Sequence, residues 1–257
     1  MQQYAAFIVL VLVYALLFWI IRISRKGMVY EIRRIAAFDV MEDAVKRCAE
    51  LGRPVMVHLA DVVTTATGSS AGGASYGMNK LSMASFLSRV AAGQEVPVEY
   101  TVDSPEAVAF LEDNINVACR AVGKSEQIPF QRIHYWGKYP SEQNWRRFSV
   151  DWNAGASVIV AGQGSDAAYL EGSRSVPGNF LIGGCSSGAQ MGWYVPMCDY
   201  FMFPDEIMVM GAVLNKVPDQ VNSLLIYDLL RIGFLVLLFV GVILSKSGVN
   251  IVGLLGA

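Results

Sequence analysis

Charge is scarce in this sequence, and so is histidine. Asp, Glu, Lys and Arg make up 16% of its 257 residues, against about 25% in an average soluble domain. The net charge is −2 and there is no basic or acidic tail. That excludes the electrostatic footprint of a nucleic-acid binder. Only two histidines occur, His58 and His134, and they are far apart. The cysteines Cys48, Cys119, Cys185 and Cys198 form no Cys-x-x-Cys pair. A zinc site therefore has no ligand spacing to rest on, and the four thiols read as free, buried groups in a reducing compartment. The chain also lacks a G-x-x-x-x-G-K-[ST] phosphate loop and a G-x-S-x-G nucleophile elbow. No cofactor and no metal is implied.

Apolar residues are abundant, at 54%, and they concentrate at the two ends. Met1 to Ile21 carries no charge. A helix of roughly 20 residues spans a hydrocarbon core of about 30 Å. The side chains from Phe7 to Ile21 are worth about −0.3 to −0.6 kcal/mol each at the centre of such a helix, enough in sum to favour insertion. The start, Met-Gln-Gln-Tyr, has no Lys or Arg, and the run ends in Phe18-Trp19-Ile20-Ile21-Arg22. Both features favour a retained anchor over a cleaved signal peptide. Arg22, Arg25, Lys26, Arg33 and Arg34 follow closely. Basic residues beside a membrane helix stay in the cytoplasm, so the N-terminus is expected outside and the central region inside the inner membrane.

A second apolar segment, Ile232 to Ser245, is short for a span. A helix starting near Ser223 lengthens it, with Asp228 and Arg231 three apart and able to pair near the interface. Lys246 is then expected outside, its long side chain reaching the headgroups. The expected organisation is an anchor over 1–26, a cytoplasmic domain over 27–221, and a membrane segment with tail over 222–257.

Between the anchors, helix and strand patterns alternate. Asp39 and Glu42 stand at capping-box spacing before an apolar helical face of Ala44, Val45, Cys48 and Leu51, closed by Gly52 and Pro54. A strand follows over 55–59. The pattern then predicts a helix over 80–92, a strand over 96–102, and a helix opened by Ser104-Pro105-Glu106. Strands follow at 131–136, 157–161, 179–182 and 200–203, with helices between them and a last one over 205–214. This alternation predicts an α/β domain with a doubly wound, mostly parallel, Rossmann-like sheet of five or six strands, flanked by transmembrane helices.

Three loops after predicted strands are candidates for chemistry, because ligands of such sheets bind at the carboxyl ends of the strands. The first runs from Asp61 to Gly77 and is rich in Gly, Ser and Thr, able to offer backbone N–H groups to an anion or simply to cover the surface. The second, Gly162-Gln163-Gly164-Ser165-Asp166-Ala167, follows an apolar strand and opens a helix, as a dinucleotide fingerprint does. It stands at a late strand, and no acidic residue follows about 20 positions on. Gly162, Gly164 and Ser165 are the binding candidates there, and a tight structural turn is the plainer reading. The third, Gly183-Gly184-Cys185-Ser186-Ser187-Gly188, places Gly183, Gly184 and Ser186 where an anion could meet a helix N-terminus. No residue stands out as catalytic.

Several stretches resemble a family of prokaryotic membrane proteins with a domain of unknown function. They are Asp43-Ala44-Val45 through Gly52-Arg53-Pro54-Val55, then Asn179-Phe180-Leu181-Ile182-Gly183, and Cys198-Asp199-Tyr200 with the acidic helix start after it. The resemblance implies a membrane protein with an α/β domain and carries no reaction with it. The Gly/Ser-rich stretch Thr67 to Gly77 does not match the family pattern. The function expected first is a membrane-anchored scaffold that self-assembles or joins other membrane subunits, with Met78, Met83, Met191, Met197, Met202, Met208 and Met210 as adaptable contact residues. The alternative is a domain that binds or converts a phosphate-bearing small molecule on the loops above. Two spans with no charge deep inside them leave no pathway for a transporter.

Overall fold

The computed structural model describes residues 34–59, 73–135, 150–161, 167–186 and 188–216, with residue 146 and scattered positions in 11–26 and 229–239. The chain divides into two compact units. One is Arg33–Asn215, and the other joins the terminal segments Met1–Ile32 and Lys216–Ala257.

The Arg33–Asn215 unit is an α/β fold. Its elements are α1 (Ala36–Leu51), β1 (Val55–Leu59), α2 (Gly73–Gly93), β2 (Val98–Val102), α3 (Pro105–Ala121), β3 (Gln131–Tyr135), β4 (Ala156–Ala161), α4 (Ala167–Ser175), β5 (Phe180–Cys185), the single turn α5 (Met191–Tyr194), β6 (Tyr200–Met202) and α6 (Pro204–Asn215). A 3-10 turn, Ser125–Phe130, links α3 to β3. The six strands form one sheet in the order β3-β2-β1-β4-β5-β6, and every pairing is parallel.

Sequence explains the local choices. In α1, Ala37, Phe38, Met41, Ala44, Val45 and Cys48 are buried at helical spacing. Gly52 ends the helix in the left-handed region at φ 62°, where a glycine pays no Cβ penalty. Its N–H bonds Ala49 O at 3.3 Å, and the Arg53 N–H bonds Cys48 O at 3.1 Å, which satisfies carbonyls left over at the helix end. The strands β1 and β2 are buried at every position, as expected of parallel strands covered on both faces.

Alternation sorts the strand residues onto two layers. Val55, Val57, Leu59, Val98, Tyr100, Val102, Val158 and Val160 pack with α1, α2, α3 and α6 in the larger core. Met56, Ile159, Leu181 and Cys185 pack on the other face, with Tyr169 and Leu170 of α4 and Tyr194 of α5. The helices after β1 and β2 thus lie on one face, and those after β4 and β5 on the other. This is the doubly wound arrangement, with its topological switch point between β1 and β4.

Two expectations change. Asp39 is not the N-cap of α1: Ile35 holds that position, extended at φ −109° and ψ 109°, with no side-chain cap. Ala36, Ala37 and Phe38 carry the helix further upstream because Ala37 and Phe38 bury into the core. Asp39 sits in the first turn and pairs with Arg34. Of the seven methionines named as contact residues, Met83, Met202 and Met210 are core at 0% exposure, Met191, Met197 and Met208 are half-buried, and Met78 is exposed at 65%. Among the described residues no helix is long and apolar enough to cross a membrane. Both predicted membrane segments fall mainly on residues outside those described. Within the terminal unit, the described residues Tyr14, Phe18, Trp19, Phe234, Leu235 and Phe239 are helical and expose large apolar side chains.

Candidate functional site

The switch point fixes where a ligand would sit. Leu59, the last residue of β1, is in register with Val102 of β2 on one side and with Val160 of β4 on the other. Ala161 is in register with Cys185 of β5. The segments after β1, β2, β4 and β5 therefore leave the sheet side by side at its carboxyl edge. Two of them are the Gly/Ser-rich segments singled out above. Asp61, Gly162, Gly164 and Ser165 themselves lie outside the described residues.

Gly183 and Gly184 are not loop residues. β5 runs through Cys185 and both glycines are inside it. A Cβ on Gly183 would meet Cys198 Sγ well inside van der Waals contact. A Cβ on Gly184 would lie 3.1 Å from Met202 Cβ and 3.2 Å from Ile207 Cδ1. Each glycine lets a neighbouring element approach one face of the strand. The loop begins at Ser186, which is half-buried. Gly183→Ala should accordingly destabilise the unit by about 1–3 kcal/mol, the cost of overpacking a full core. Cys198→Ala should restore most of it, since Cys198 Cβ itself stands 3.4 Å away. Urea denaturation of the single and double variants checks this, and additive losses would contradict it.

A polar row crosses the face of β1, β2 and β3 that α2 and α3 do not cover. Glu99 is buried, with 5% of its side chain exposed, and it accepts from Arg132 at 3.1 Å and pairs with His134 Nε2 at 2.7 Å. The His134 ring also lies 4.7 Å from that of Trp152. One strand inward, His58 Nδ1 and Thr101 Oγ1 share a hydrogen bond of 2.8 Å, and the His58 ring stacks on Tyr169 at 4.0 Å. The row thus pairs one histidine with a carboxylate and the other with a threonine hydroxyl. It ties the edge strand β3 to β2. Among the described residues no group of three or more His, Cys, Asp or Glu could hold a metal ion.

The cysteines are free. Burial pushes the Cys48 and Cys198 thiols up to about 12, with Asp199 adding to the effect at Cys198. Such thiols are weak nucleophiles at neutral pH.

One cleft, about 380 Å³, lies at the start of β5, away from the carboxyl edge, beside Arg47, Arg174 and Asp199. Its cations are engaged: Arg47 donates to Gly178 O at 3.0 Å, and Arg174 donates to Asp199 Oδ1 at 3.0 Å. Asp199 Oδ2 in turn accepts from the Leu181 N–H at 2.9 Å. These bonds staple the entry of β5, and size alone does not make that cleft the site. Sequence reading missed the polar row, because an acidic residue inside a strand carries no signal of the partners on neighbouring strands.

Residues 1–254 match the model of a family described as a domain of unknown function, DUF6754. No curated protein and no solved structure matches the chain.

Proposed function

The chain belongs to this family of unknown function, and from that premise we propose that it is a membrane-tethered domain binding a phosphate-bearing small molecule at the carboxyl edge of its sheet. The observation that carries the reading is the strand order. An all-parallel β3-β2-β1-β4-β5-β6 sheet has one switch point, and Gly/Ser-rich segments begin there on both sides, after β1 and after β4. Open α/β sheets take their ligands at that crevice. The Gly162-Gln163-Gly164 segment, between β4 and the start of α4 in the sequence, supplies glycines of the kind that let backbone N–H groups approach phosphate oxygens. Asp61 follows β1 by two positions in the sequence.

Equilibrium dialysis of the full chain in detergent with labelled pyrophosphate tests the reading. Saturable binding at one site per chain is expected, and no binding at millimolar pyrophosphate would overturn it.

The tether rests on the uncharged run from Met1 to Ile21, on the C-terminal apolar segment, and on the large apolar side chains exposed by the terminal unit. Arg22, Arg25 and Lys26 orient the domain to the cytoplasm of a prokaryotic cell, in keeping with the family resemblance. On intact spheroplasts, a membrane-impermeant maleimide should label Gln2→Cys and spare Ser125→Cys until lysis. The reverse labelling would contradict the orientation.

A further inference from the structure

A second cleft, about 310 Å³, opens beside the start of α4 and the segment after β5. Ala167 and Ala168, the first residues of α4, form one side of it, and Ala189, Gln190 and Trp193 form the other. Two features set this cleft apart from ordinary surface. Trp193 leaves 76% of its area open to solvent, the most exposed of the large apolar residues described. The Gln190 side-chain oxygen is buried and has no hydrogen-bond partner among the described residues. An exposed indole normally wants cover, and a buried amide oxygen normally wants a donor. A flat ring carrying an N–H group supplies both. Small-molecule pockets run from about 300 to 1,000 Å³, so this cleft suits one ring system and not a whole dinucleotide.

Its place in the fold gives the ring an identity. The cleft touches the first turn of the helix that the Gly162-Gln163-Gly164-Ser165 segment leads into, and it lies just beyond Ser186 at the end of β5. Arg146 and Glu171, ion-paired to each other, stand at its rim. Small alanines at 167, 168 and 189 leave the ring space to lie against the indole.

We propose that this cleft is a base subsite, so that the phosphate-bearing ligand is a nucleotide: ring against Trp193, an N–H of the base donating to Gln190, and phosphates toward the segment that joins β4 to α4. This rests on the phosphate-binding reading above. All four common bases offer an N–H donor, so the subsite selects for a nucleotide over a simple phosphate ester before it selects among bases.

The test compares pyrophosphate, which has no ring, with ADP, GDP, CDP and UDP, on the full chain in detergent. At least one nucleoside diphosphate should bind ~10- to 100-fold tighter than pyrophosphate, the range for one base stacked on an aromatic side chain. Trp193→Ala should reduce that nucleotide to the affinity of pyrophosphate and leave pyrophosphate itself unchanged. Trp193→Phe should keep most of the gain, and Gln190→Leu should lose part of it. Pyrophosphate binding with no nucleotide advantage, or an advantage that survives Trp193→Ala, would overturn the base subsite and leave the phosphate site standing. Failure of every probe to bind would overturn both.

Discussion

Tyr169→Ala is expected to destabilise the Arg33–Asn215 unit by about 3–5 kcal/mol, the range for removing a large aromatic from a packed core. Tyr169 is fully buried and its ring stacks on His58 at 4.0 Å, 18° from parallel. The layer on this face is thin. Among the described residues its helices are α4, nine residues long, and α5, four residues long, with Trp152 and Ala154 packed beside them. Two tyrosines, Tyr169 and Tyr194, are its largest fully buried side chains. Neighbours on such short helices have little length with which to close a ring-sized cavity, so the upper half of the range applies. His58 would lose its stacking partner in the same step. Urea denaturation reads the change, with Phe110→Ala as the reference. Phe110 is 55% exposed on α3, and a surface change of that kind costs within about 0.5 kcal/mol. Equal losses for the two variants would contradict the two-layer account of the core.

Gly164→Val carries the second large effect. A β-branched side chain at the second glycine of Gly162-Gln163-Gly164 stiffens the backbone there and occupies the space through which phosphate oxygens approach the N–H groups. Pyrophosphate affinity should fall at least ~100-fold, the scale of losing two or so charge-assisted hydrogen bonds of about 1.5–3 kcal/mol each. The thermal midpoint should move little, because the substitution lies between β4 and α4 and outside both. Fluorescence-detected unfolding of the same sample separates the two outcomes. Lost binding with a matching loss of stability would assign Gly164 to the fold alone, and retained binding would remove the turn from the site.

Much of the fold was legible in the sequence, for identifiable reasons. The strand over 55–59 was bounded by Gly52 and Pro54 on one side and by the segment from Asp61 on the other, and β1 has those limits. Pro105 announced the start of α3, where the pyrrolidine ring is tolerated at the first helical position. The parallel sheet followed from alternation and short connections, and six strands are present.

What escaped depended on tertiary contacts. Gly183-Gly184 reads as a turn by composition, yet both glycines stay in β5 because Cys198, Met202 and Ile207 press on them from elsewhere in the chain. Asp39 looked like a cap, but burial of Ala37 and Phe38 outweighed a single side-chain hydrogen bond. Strand order carries no local signal, so the meeting of the segments after β1 and β4 could not be read directly. Trp193 and Gln190 stand in a run with no clear periodicity, Gln190-Met191-Gly192-Trp193-Tyr194-Val195-Pro196, and only the folded chain turns them toward the start of α4. Asp61, Gly162, Gly164, Ser165 and Ser186 were legible as candidates because they follow strands, and the sheet brings their segments to one edge.

The binding claim is tested most directly by native mass spectrometry of the full chain, extracted gently from its own membrane and then equilibrated with pyrophosphate and the four nucleoside diphosphates. The account predicts one stoichiometric adduct of nucleotide mass per chain, displaced competitively by pyrophosphate and absent from Gly164→Val. A chain carrying lipid alone under the same conditions, or found only as part of a large assembly with no small molecule retained, would contradict it and return the family member to a scaffold role.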